Sequence, residues 1–303
     1  MTDPYVPRLL DYLQIGVRDV VAILGKGSVN WVSRVEKEDG GTVILRLNHD
    51  RHAEEALYEY SRESWCLKKA REAGILSPEP LGYGRWEDRS WMLQTYVPGP
   101  TADEVPEANE STWRFLGDCL RKLERAEFSE DDSEARQTFG PEGPRYHWQG
   151  QLALNIESLT PRDPLLALGV YPLEGQNEIR ASFALLKGIP LRFGLAHGDF
   201  SRRNVILGPH GPVLLDWGCA TEHIVPLYDI VETMRNGVDG DPDEAGLRAF
   251  SEGYGGFADR LSEIRSLRLL RAFDLVRWAI DRKPERIPEL AESARTTFQS
   301  WKR

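Results

Sequence analysis

Residues 195–207 read LAHGDFSRRNVIL, and from position 216 the chain reads DWGCA. Asp199, Asn204 and Asp216 are the oxygen-bearing side chains of interest. Between the last two lie an apolar VIL (205–207), a GPHG turn (208–211) and a second apolar run, PVLL (212–215). Two short strands around such a turn form a hairpin, which returns Asp216 toward the loop it left. Phosphoryl transfer needs such a set. One carboxylate orients the acceptor hydroxyl and takes its proton, a second holds Mg²⁺ against nucleotide phosphates, and an amide oxygen completes the metal shell. A polar turn between two strands would carry the same residue types without chemistry, so the rest of the chain must supply the missing parts.

Upstream, the first hundred residues read as strands and turns around one helix. The stretch DVVAILGKGSVNWVSRVEKEDGGTVILRLN (19–48) alternates apolar runs with Gly25, Gly27 and the Gly40-Gly41 pair, which predicts two or three antiparallel strands. HAEEALYEYSRESWCLKKAREAG (52–74) has helical length and a 3.6-residue period through Leu57, Tyr60, Ser64 and Leu67, with Gly74 as a stop. LGYGRWEDRSWMLQTYVPG (81–99) returns to strand-like sequence, and Pro98-Gly99-Pro100 marks a boundary. Beyond it the pattern is mostly helical, with helices expected over 111–127, 177–187, 243–254 and 262–282. Residues 128–148 are polar and broken, which reads as a loop or insertion. The expectation is an α+β, two-lobed chain: a β-rich N-lobe over 1–97 and a larger, mostly helical C-lobe over 98–303.

The bulk numbers agree with a soluble, globular chain. The 303 residues are 41% hydrophobic and 28% charged, and no apolar run approaches the roughly 20 residues that span a bilayer. Three cysteines without a CxxC, and a start lacking a secretory signal pattern, fit a reduced cytoplasmic compartment and no membrane partner. The net charge is −10; residues 1–97 carry 13 basic and 15 acidic side chains, and the remaining 206 carry 25 and 33. Nucleic acid would meet a repulsive field, whereas a cationic small molecule would be concentrated by the acidic second part. A monomer is expected.

The pattern H-G-D-x4-N, followed after two strands by D-W-G, resembles the aminoglycoside phosphotransferases and their small-molecule kinase relatives, which share the protein-kinase-like fold. Four fixed residues match by chance at on the order of one in 10⁵ start positions. The resemblance implies Asp199 as catalytic base, Asn204 and Asp216 as metal ligands, and His197 as a structural tether of the loop. It implies ATP (or GTP) and Mg²⁺ as cofactors, and a small-molecule hydroxyl as acceptor. GKGSVNWV (25–32) resembles the family's Gly-x-x-Asn-x-Val turn, so Gly25, Gly27, Ser28 and Asn30 are expected over the phosphates. The strand TVILRLN has no lysine; Arg46 stands where the phosphate-contacting lysine usually does, and Glu63, 17 residues on, is its expected partner. Gln94 to Tyr96 match the hinge that receives the base. In VPLYDIVE (225–232), Asp229 is expected to brace the catalytic loop.

For the acceptor, ammonium groups call for carboxylates and aromatic walls. Asp274 and Asp281 fall on one face of the 262–282 helix near Trp278, and Glu157 and Asp163 lie in a segment that can cover a second substrate. The alternative readings are an ordinary Arg277–Asp281 helix pair and a solvated helix face. An aminoglycoside is the first choice of acceptor. Choline, a methylthioribose-like sugar, homoserine or a glycated amine are alternatives, and a nucleotide-binding module without catalysis is a further one.

Overall fold

The computed structural model describes residues 3–23, 30–48, 53–126, 132–234 and 242–303, so Gly25, Gly27 and Ser28 lie outside the described residues. The chain opens with α1 (Tyr5–Tyr12), then β1 (Val17–Ala22), β2 (Asn30–Lys37), β3 (Thr42–Asn48), α2 (Ala53–Glu72), β4 (Pro80–Trp86) and β5 (Arg89–Thr95). Next come α3 (Asn109–Arg125), α4 (Ser133–Phe139), α5 (Pro144–Glu157), α6 (Pro164–Ala167), α7 (Gln176–Leu185) and β6 (Arg192–Ala196). The hairpin β7 (Val205–Gly208) and β8 (Gly211–Leu214) precedes β9 (Thr221–Val225), α8 (Leu227–Thr233), α9 (Glu244–Tyr254), α10 (Leu261–Arg282) and α11 (Ile287–Lys302). These elements form two compact units, residues 1–106 with 203–220 and residues 107–202 with 221–303. The β7–β8 hairpin therefore groups with the N-terminal sheet.

In the first unit the sheet is antiparallel throughout, in the order β1-β2-β3-β5-β4. One face is closed by α1: Tyr5, Val6, Leu9 and Leu10 bury against Val35, Val43, Leu45, Leu47 and Leu93. Each such aliphatic side chain contributes about 1.5–3 kcal/mol on leaving water. Because side chains alternate along a strand, burying Leu45 and Leu47 under α1 turns Arg46 to the opposite face. Helix α2 runs for 20 residues with Glu54 and Glu55 in its first turn and Lys69 and Arg71 in its last, and Gly74 at φ 77° ends it. Residues 98–101 tie to the hairpin: Leu207 N donates to Pro100 O at 3.0 Å, and Thr101 bridges Ile206. Gly99, at φ 139°, is required there, since a Cβ would lie 2.4 Å from the Leu207 carbonyl oxygen.

The second unit is helical around the β6–β9 ladder. Helices α3 and α9 cross so closely that a Cβ on Gly117 would meet Phe250 O at 2.1 Å, and one on Gly253 would meet Arg114 O at 2.0 Å. Asp243 caps α9 through Gly246 N. The four expected helices correspond to α3, α7, α9 and α10. Within the expected loop 128–148, the described residues from 132 on correct the expectation: Asp132 accepts from Glu134 N and Ala135 N to start α4, and Pro144 opens α5 at its first position, where a missing N–H costs nothing. Among the described residues no helix is long and apolar enough to cross a membrane.

Candidate active site

On the face of the first unit's sheet opposite α1, Arg46 Nη1 donates to Glu63 Oε1 at 2.5 Å. Glu63 is 3% exposed, so the pair is an internal one and not a surface contact. Burial pushes the Glu63 carboxyl above its usual range, and the guanidinium pulls against it. Arg46 stays protonated: burial works against its charge, but Glu63, Tyr60 and Asp216 together outweigh that and hold its pKa up. Tyr60 lies under the guanidinium, 5.5 Å from ring centroid to Cζ, and its hydroxyl donates to Asn30 Oδ1 at 2.9 Å. Arg62, also on α2, donates to the Gly218 carbonyl at 2.9 Å.

The hairpin brings Asn204 and Asp216 to its open end. Val205 pairs with Leu214, and Leu215 N donates to Asn204 O at 2.8 Å. Asp216 is exposed and adopts φ 59°, ψ 62°, a left-handed conformation that aspartate enters more readily than most residues. The buried Trp217 fixes the turn by donating Nε1–H to Leu214 O at 3.2 Å. One exposed carboxylate and one amide oxygen fit Mg²⁺, which binds through one or two protein oxygens together with phosphate oxygens and water. Farther along the same face Gln94 pairs across β3 at Ile44, and Tyr96 follows β5 with Arg34 stacked 5.8 Å above its ring.

Asp199 belongs to the second unit, and its loop is held from below. The Asp229 carboxylate accepts from His197 N at 3.0 Å and from Gly198 N at 2.7 Å. His197 is fully buried, stacks on Phe200, and accepts from Asp199 N at Nδ1, 3.2 Å away. That bond ties the buried ring back to the loop's own backbone, with Nδ1 as the acceptor. Burial raises the Asp229 carboxyl to about 7, with the two backbone donors working in the other direction.

A match to the phosphotransferase enzyme family (APH) runs over residues 20–270. The chain belongs to that family. Solved structures share its fold over nearly the whole length. The GDP and kanamycin complex of APH(2")-IIia has TM-score 0.66 at 15% identity, covering 98% of both chains. A thermostable mutant of aminoglycoside phosphotransferase APH(4)-Ia, in ternary complex with AMP-PNP and hygromycin B, has 0.65 at 15% identity over 97% of both. Macrolide 2'-phosphotransferase MphH from Brachybacterium faecium has 0.59 at 18% identity, covering 96% of this chain and 97% of that one. No curated protein matches in sequence. The chain is thus a small-molecule phosphotransferase with a kinase-like fold, an antiparallel N-terminal sheet and a helical C-terminal part.

In this phosphotransferase the four acidic acceptor candidates have different fates. Asp163 is 3% exposed and fully engaged: Arg277 grips both its oxygens at 2.8 and 2.9 Å, Tyr171 donates its hydroxyl at 2.6 Å, and Leu165 N donates at 3.1 Å. Arg277 therefore pairs with Asp163, a tertiary contact in place of the i,i+4 helix pair with Asp281 that stood as the alternative reading. Asp274 accepts from the amides of Gln151 and Asn155, and burial pushes its carboxyl upward. These two carboxylates tie α5, α6 and α10 together; Asp163 is buried and spent on its protein partners, whereas Asp274 is half-buried. Glu157 and Asp281 are exposed. Sequence reasoning misses Tyr60 and Arg62 as site residues; the helical period assigns Tyr60 only to the apolar stripe of α2, and nothing in its spacing indicates a partner on β2.

Proposed function

We propose that this phosphotransferase uses ATP (or GTP in its place) and Mg²⁺ to phosphorylate a hydroxyl of a small cationic molecule, with an aminoglycoside the first acceptor to test. One observation carries the reading. A strand without lysine, β3, still presents a fixed, protonated cation, Arg46, braced by buried Glu63 and close enough to Asp216 for their charges to interact. That is the arrangement nucleotide phosphates require on the protein side. In this reading residues 1–97 bind the nucleotide, and 98–303 carry the catalytic loop, the metal ligands and the acceptor site.

Asp199 orients the acceptor hydroxyl for in-line attack and receives its proton late, so its placement matters more than its basicity. Asp229 fixes that placement by holding the amides of His197 and Gly198, the two residues before it. Arg46, with Asn30 and the hinge from Gln94 to Tyr96, holds the nucleotide. Asn204 and Asp216 would bind Mg²⁺, which supplies charge neutralisation to the phosphates when present. For the acceptor, Glu157 and Asp281 are the exposed carboxylates, and the −8 net charge of residues 98–303 favours a cation.

The test is an ADP-release assay over an aminoglycoside panel plus choline, methylthioribose, homoserine and a glycated amine, with and without Mg²⁺. Turnover with one class assigns the acceptor. Asp199→Ala is expected to lower kcat by several orders of magnitude with nucleotide affinity retained; undiminished turnover in that variant removes the assignment. Nucleotide binding without turnover on any acceptor would leave a nucleotide-binding module.

A further inference from the structure

Helix α2 carries, three residues before Glu63, a tyrosine whose position serves the same face. Tyr60 is 1% exposed, lies beneath the Arg46 guanidinium, and donates its hydroxyl to Asn30 Oδ1 at 2.9 Å. Asn30 opens β2 opposite Asn48, and Val32, two residues on, stands opposite Arg46. Asn30 and Arg46 are thus one rung apart on one sheet face, about 7 Å along the strand. A side-chain amide has one acceptor oxygen and two N–H donors. With Oδ1 turned to Tyr60, the atom left to face a ligand is Nδ2, which only donates. A donor-only group one rung from a fixed guanidinium suits phosphate oxygens and disfavours a metal ion.

We propose that Tyr60 is a positioning residue of the nucleotide site: it locks the Asn30 amide so that Nδ2 is presented to the nucleotide phosphates. The inference rests on the phosphotransferase reading. It makes α2 responsible for two phosphate-facing groups, Arg46 through Glu63 and Asn30 through Tyr60. A buried phenol that merely needed a hydrogen-bond acceptor would leave ligand affinity unaffected when its hydroxyl is removed, and the test exploits that difference.

Tyr60→Phe keeps the ring under Arg46 and deletes only the hydroxyl. Titration calorimetry on the full chain is expected to show the Kd for inorganic tripolyphosphate and for ATP each rising about 3- to 10-fold, the value of one neutral hydrogen bond. Binding of adenosine alone should not move, and in turnover KM for ATP should rise with kcat changed far less. Asn30→Ala should give a similar rise, and the double variant no more than either alone. Asn30→Asp, which keeps an acceptor for Tyr60 but removes both donors, should weaken tripolyphosphate further. Wild-type affinity in Tyr60→Phe, or additive losses in the double variant, overturns the proposal. If the unaltered protein binds neither ATP nor tripolyphosphate, the nucleotide reading falls and this inference falls with it; binding in the unaltered protein with no change in Tyr60→Phe sinks the inference alone.

Discussion

Replacing Arg46 with methionine isolates what the internal ion pair does for the fold. Glu63 is 3% exposed, and its side chain loses its 2.5 Å partner in this variant. Removing one member of a buried pair costs about 3–5 kcal/mol when the other stays charged. The carboxyl has an escape, because it can take up a proton, so the cost depends on pH. Burial already raises the Glu63 carboxyl above its ordinary value of 4.5, and losing Arg46 raises it further. A carboxyl raised in the folded state binds its proton more tightly there than in the unfolded chain. Its contribution is therefore fully present at low pH and declines as pH rises from the unfolded value toward the folded one, by about 1.4 kcal/mol per unit. Arg46→Met should then melt close to the unaltered protein near pH 5 and on the order of 10 °C below it near pH 8, scaling about 4 kcal/mol by roughly 2–4 °C per kcal/mol. Differential scanning calorimetry at the two pH values reads this directly. An Arg46→Met, Glu63→Leu double variant should recover most of the stability and none of the turnover, since an apolar pair tolerates burial but cannot hold phosphate. Equal melting deficits for Arg46→Met at pH 5 and pH 8 would refute the reasoning.

Asp229→Asn should cut kcat by about 10- to 100-fold, because an amide oxygen replaces a carboxylate that accepts two backbone donors of the catalytic loop. Since burial raises the Asp229 carboxyl to about 7 from an ordinary 3.8, its contribution to stability falls as pH rises between those values; the asparagine variant should lose that pH dependence in urea unfolding between pH 5 and 7.5. Gly253→Ala should destabilise by about 1–3 kcal/mol or more, because the new Cβ meets the Arg114 carbonyl at 2.0 Å and backbone must move; a melting point unchanged within a degree would contradict the close crossing of α3 and α9. Arg277→Met strands the buried Asp163 carboxylate and should lower stability by about 3–5 kcal/mol, whereas Asp281→Asn should leave melting unchanged and raise KM for a cationic acceptor; the reverse order in melting would return Asp281 to a structural role.

What sequence makes legible is local. The 3.6-residue period and the Gly74 stop outline α2, the alternation of TVILRLN outlines β3, and the spacing around the GPHG turn outlines the hairpin that sets Asp216 beside Asn204. Each of these is decided within about 20 residues, by periodicity or turn chemistry. Residues 128–148 look like a loop because their polar side chains hide two helix starts. Asp132 and Pro144 are the signals present there, a side-chain cap and a proline at the first helical position. Helix α1 escapes a sequence reading because eight residues lie below the length at which a pattern separates from noise, and its stability comes from the strands it covers.

The site divides along the same line. Arg46 and Glu63 are legible as a pair because one strand and one helix fix their separation. The engagement of Asp163 and Asp274 is not legible, because their partners stand more than 100 residues away in the chain: Arg277 for the first, Gln151 and Asn155 for the second. An acidic residue on a mostly apolar helix is equally consistent with a cation-binding wall and with a buried network, and only the tertiary partner decides. The choice has an energetic consequence. The Asp163 carboxylate accepts four donors, two from the Arg277 guanidinium, one from the Tyr171 phenol and one from Leu165 N, which fills its lone pairs, so freeing it for a substrate would expose Arg277 as an unpaired buried charge. In the proposed reading, a cationic acceptor would therefore be met by carboxylates that water already reaches, and Glu157 and Asp281 are the exposed candidates among the four.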